Sequence, residues 1–68
     1  MEKIVFNILM YSDNMCRIVA RDIRTDIRKL SDGGCISSYD VLISEMNHIT
    51  NKASDIGYEA VFKLEKMY

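Results

Sequence analysis

Residues 12–34 run SDNMCRIVARDIRTDIRKLSDGG, and the architecture turns on whether they form one helix. Ser12-Asp13-Asn14 is a cluster of side chains that favour helix N-caps, because their oxygens accept hydrogen bonds from first-turn amides. At ~100° per residue, Met15, Val19, Ile23, Ile27 and Leu30 fall on one stripe, widened by Cys16, Ile18 and Ala20. Ser31-Asp32-Gly33-Gly34 supplies the stop, with a glycine available for the left-handed C-terminal conformation. The spacing predicts a first helix of about 18 residues.

On the N-terminal side, residues 3–11 are β-branched and aromatic and read as a strand. Ile4, Phe6, Ile8 and Met10 share its apolar face, while Val5, Asn7, Leu9 and Tyr11 share a mixed one. On the C-terminal side, Ser37 with Asp40 three residues later resembles a capping box with Asp in place of Glu. Tyr39, Leu42, Ile43, Met46, Ile49, Ala53 and Ile56 then recur at helical steps, until Gly57 stops the run. Residues 58–67 alternate, with Tyr58, Ala60, Phe62 and Leu64 opposite Glu59, Val61, Lys63 and Glu65.

The expected fold is therefore α+β, in the order strand-helix-helix-strand, as one domain over residues 1–68. Two antiparallel helices bring the last strand back beside the first, so a helical hairpin packs on a small antiparallel sheet in two layers. A two-stranded sheet is marginal in water and has two unpaired edges. A chain of 68 residues also lacks a large core. Both arguments predict a homodimer that completes the sheet, by edge pairing or by stacking of outer faces. Val5, Leu9, Tyr11 and Val61 are the expected interface, because they put apolar surface on otherwise solvated strand faces.

Composition excludes several functions. The formal net charge is −1 with a pI near 5.7, which fits neither a general polyanion binder nor an acidic DNA mimic. No apolar run approaches the ~20 residues of a membrane span, so no membrane partner is expected. Two cysteines, Cys16 and Cys35, form no disulfide framework, and no signal peptide opens the chain; a reducing cytoplasmic setting is expected. Those cysteines and the single histidine, His48, do not make a structural zinc site, and neither metal nor cofactor is expected.

Catalytic constellations are equally sparse. Cys35 follows two glycines, but His48 sits on the polar side of its helix, so the pair reads as a packed thiol and a solvated imidazole. Asp22 and Asp26 share a helix face without a third ligand for a metal. Gly33-Gly34 lacks the Lys-Ser/Thr of a phosphate loop. The chain is expected not to be an enzyme.

One charged feature stands out. Arg17, Arg21, Arg24 and Arg28, all the arginines of the chain, recur at steps of four, three and four. On a helix they form a stripe ~16 Å long, suited to carboxylate or phosphate contacts. The leading expectation is a non-catalytic protein-binding module, an adaptor or inhibitor of a larger partner, with this stripe as its binding surface. The alternative is a regulatory nucleic-acid-binding dimer. In element order, residues 3–52 are similar to the ribbon-helix-helix DNA-binding proteins, and Gly34-Cys35-Ile36-Ser37-Ser38-Tyr39 looks like their interhelical turn. That resemblance implies a dimer that lays paired first strands in the major groove. The chain departs from the pattern in its longer first helix, its final strand, and Val5, Asn7 and Leu9 at the base-reading positions.

Overall fold

A computed structural model of the chain describes residues 1–31 and 33–68; Asp32, part of the expected helix stop, lies outside the described residues. The elements are β1 (Glu2–Ser12), β2 (Met15–Ala20), α1 (Thr25–Arg28), α2 (Tyr39–Asp55) and β3 (Tyr58–Lys66). They form a three-stranded mixed sheet in the order β2-β1-β3, with α2 on one face, so the α+β class holds. Among the described residues, no helix is long and apolar enough to cross a membrane.

The stretch that begins at Ser12 is not a helix. Asp13-Asn14 turns the chain, and Met15–Ala20 returns antiparallel along β1, pairing Ile8 with Ile18 and Met10 with Cys16. The competition was between two periods. A helix needs Met15 and Ile23 inside, yet they are 44% and 86% exposed. A strand needs Cys16 and Ile18 inside, and they are 4% and 3% exposed. The β-branched pair Ile18-Val19 fits a pleated surface better than a helix interior. The register shifts between Met10 and Ser12, leaving Tyr11 as a bulge residue. Neither turn residue has positive φ, so the turn is not of the primed kind that matches strand twist. The bulge supplies the extra local twist instead.

The rest of the expected first helix is a connector with a single turn, α1, whose Ile27 is fully buried. The helical hairpin is thus replaced by a β-hairpin, a connector and one long helix. The extra reversal of direction changes the sheet. β1 and β3 pair parallel, not antiparallel, with Val5 beside Val61 and Phe6 beside Phe62.

The second helix lies where expected, although Ser38, not Ser37, is its N-cap. Ile49 and Ala53 are buried and Leu42 and Met46 pack beside them, which makes one stripe of side chains at three- and four-residue steps. Gly57, at φ +87°, lets the chain turn from α2 directly into β3. Ile4, Phe6 and Ile8 point from β1 into the core, where Phe6 meets Phe62 with ring centroids 5.8 Å apart.

Candidate docking face

Alternation along β1 puts Ile4, Phe6 and Ile8 under α2 and leaves Lys3, Val5, Asn7 and Leu9 on the opposite side of the sheet. The register extends that side across three strands. Val19, Asn7 and Lys63 make one row, and Arg17, Leu9 and Glu65 the next. Val5 lies beside Val61, and Lys3 beside Glu59. No described element covers this face. It is a half-buried apolar strip of Val5, Leu9, Val19 and Val61, flanked by four basic and two acidic side chains.

Arg21 lies across the same face. Its Nε donates to Asn7 Oδ1 at 3.0 Å and its Nη2 to Glu65 Oε2 at 2.7 Å, tying the end of β2 to both other strands. Both partners of this ion pair are largely exposed, so it contributes little to stability. Arg17, Lys3 and Lys63 have no ion pair with any described residue. Their charges remain available to a partner.

Arg24 has a different setting. Its guanidinium donates to Asp22 at 2.9 and 2.7 Å and to Glu2 Oε2 at 2.6 Å, and lies 5.3 Å from the centre of the Tyr58 ring. Asp22 Oδ1 also accepts from the Arg24 amide at 2.9 Å, closing a local turn. The cluster latches the connector to the starts of β1 and β3. The Arg24 hydrogen bonds hold the Asp22 carboxyl at about 2, below the usual 3.8, and lower Glu2 as well; these carboxylates in turn raise Arg24. Both acids have folded pKa values below their unfolded ones. Their contribution is therefore complete only above both unfolded values, 3.8 for Asp22 and 4.5 for Glu2, and is lost as pH falls toward the folded Asp22 value of about 2. The melting temperature should drop between those limits, and Asp22→Asn should flatten the drop. Equal slopes in both proteins would show that the latch carries no linkage.

The four arginines thus form no stripe. Arg17 and Arg21 belong to the open face, Arg24 is held in the latch, and Arg28 sits on α1 beside a cleft lined by Ile18 and Ala20. Val5, Leu9 and Val61 do come together on one face, while Tyr11 occupies the bulge and is 44% exposed. Lys3, Val19, Lys63 and the glutamates complete the face. Of these, Val19 is the one the helical period of residues 15–30 conceals, because it lies on β2.

Asp22 is engaged by Arg24, and Asp26 Oδ1 accepts from the Ile27 amide at 3.0 Å, so the two acids serve separate turns. No group of potential metal ligands forms among the described residues. Cys16 is buried and Cys35 exposed, and both are free; burial pushes the Cys16 thiol up. Among the described residues, the backbone hydrogen bonds of Cys16 run to Ile36 and not to His48. Three clefts measure about 130, 240 and 160 Å³, under the ~300–1,000 Å³ of typical ligand pockets. Comparison with known proteins finds no matching family model, curated protein or solved structure.

Proposed function

We propose that this chain is a non-catalytic protein-binding module, a homodimer in a reducing cytoplasm, that acts as an adaptor or inhibitor by docking a larger protein on its open sheet face. The observation that carries this reading is the uncovered strip of Val5, Leu9, Val19 and Val61 with unpaired Arg17, Lys3 and Lys63 around it. An apolar centre with a charged rim is the anatomy of a protein interface. The basic excess on the rim favours a partner whose apolar ridge is flanked by carboxylates. Two free thiols, one of them exposed, agree with a reducing compartment.

The test is capture of partners from the source cell by the immobilised chain, after nuclease treatment. Leu9→Lys combined with Arg17→Glu strikes the centre and rim of one row and should weaken capture about tenfold or more. Lys52→Glu, on the exposed side of α2, should leave it intact. Circular dichroism would confirm that both variants fold. Undiminished capture by the double variant sinks the docking face, and capture abolished by nuclease moves the reading to nucleic acid.

A further inference from the structure

We propose that two copies of the chain pair antiparallel along β3 about a two-fold axis at Val61, making one continuous six-stranded sheet. This deepens the homodimer part of the reading above; it takes up Val61 and Lys63 at the β3 margin of the open face and leaves the docking row of Leu9 and Arg17 free.

The sheet has two edges, and they are not equivalent. On β2, Cys16 exchanges hydrogen bonds with Ile36, at 2.9 and 2.8 Å, so the connector already occupies that edge at Cys16. Among the described residues β3 pairs only with β1, and the backbone groups along its nine residues that point away from β1 form an open edge. Exposed edges of that length invite another strand unless something forbids it. Moreover, Leu64 lies on the core side of β3 with Ala60 and Phe62, yet it is 70% exposed. α2 does not reach over it.

Charge selects the occupant and the register. In an antiparallel pair, facing residues share one side of the sheet, so like charges opposite each other are unfavourable. With the axis at Val61, Glu59 faces Lys63 of the second copy twice, and Val61 faces its own copy. On the core side Ala60 faces Phe62, and the exposed Leu64 lands on Tyr58. An axis at Phe62 would overlap the strands fully but set Glu59 against Glu65 twice. An axis at Lys63 opposes that lysine to itself. An axis at Leu64 pairs only residues 62–66 and needs Glu65, which Arg21 already holds at 2.7 Å. The Val61 register alone satisfies the charges and covers Leu64. In it, both α2 helices lie on one face of the joined sheet, and both docking faces lie on the other.

Light scattering at tens to hundreds of micromolar should give twice the 7.9 kDa chain mass. Glu59→Lys and Lys63→Glu should each weaken dimerisation about tenfold or more, since each turns two attractive cross-strand pairs into two repulsive ones. The double exchange, Glu59→Lys with Lys63→Glu, should restore the parent value to within about threefold. Both positions are exposed, and far-ultraviolet circular dichroism will show that the variants fold. In the parent protein, hydrogen exchange at β3 should slow with concentration while that of α2 stays constant. A monomer at every concentration overturns both the edge pairing and the homodimer reading. A dimer indifferent to all three variants overturns the edge pairing alone. Loss with Lys63→Glu but not with Glu59→Lys overturns the Val61 register.

Discussion

Phe6→Ala is expected to leave the chain unfolded at room temperature. Phe6 is the largest side chain with no solvent exposure, at the centre of the middle strand, between β2 and β3 and under α2. Truncating a buried phenylalanine costs about 3–5 kcal/mol, through lost transfer energy and the cavity left behind. A core of this size supplies only about 3–5 kcal/mol in total. The two quantities match, so the mutation removes nearly all the stability. Partial collapse cannot refill the site, because Phe6 contacts Phe62 on the neighbouring strand and strand spacing is fixed by hydrogen bonds. Circular dichroism and amide dispersion measure the outcome; a cooperative melt within a few degrees of the parent would show that the core lies elsewhere.

Ile27→Ala is expected to release the connector between β2 and α2 and lower the melting temperature by at least ~8 °C, at about 4–8 °C per kcal/mol for a domain of this size. The substitution should cost ~2–5 kcal/mol. α1 is four residues long, and one turn of helix does not survive in water unless something packs it. No side chain caps its N-terminus, and Ile27 is its only buried residue. Its amides at Arg28, Lys29 and Leu30 bond to carbonyls of Arg24, Thr25 and Ile27, and these bonds should exchange fastest in the variant. The Cys16–Ile36 bridge should loosen with them. Retained protection at residues 28–30 would mean the turn is held by something other than Ile27.

Three of the main elements were legible because each showed a single period. In β1 and β3 the alternation was uninterrupted, and in α2 the stripe from Leu42 to Ala53 had no rival. Residues 15–20 carried two periods at once. Met15, Val19 and Ile23 matched a helix, while Cys16, Ile18 and Ala20 matched a strand. Short strands lack the length to outvote a helical pattern, and only pairing with β1 decides the matter. The parallel sense of β3 followed from that one hidden strand. The arginines illustrate the cost: their regular steps measured distance along a helix that does not form, and the chain distributes them among an open face, a latch and the short helix α1. The apolar outer positions Val5, Leu9 and Val61 were legible because strand alternation does not depend on which way the neighbour runs.

The parallel join of β1 to β3 also sets a timetable for synthesis. Val5 and Val61 are neighbours in space but stand 56 positions apart in the chain, and every β1–β3 pair has the same separation. As residues emerge from the ribosome, β1 and β2 can close their hairpin early, because that contact is local. One side of β1 must then stay open until residues 58–66 have been made. While residues 21–57 are being made, the future central strand is an edge with Phe6 incompletely covered. Slowing elongation after the hairpin would lengthen that exposure, whereas a circularly permuted chain that starts with β3, just ahead of β1, would shorten it.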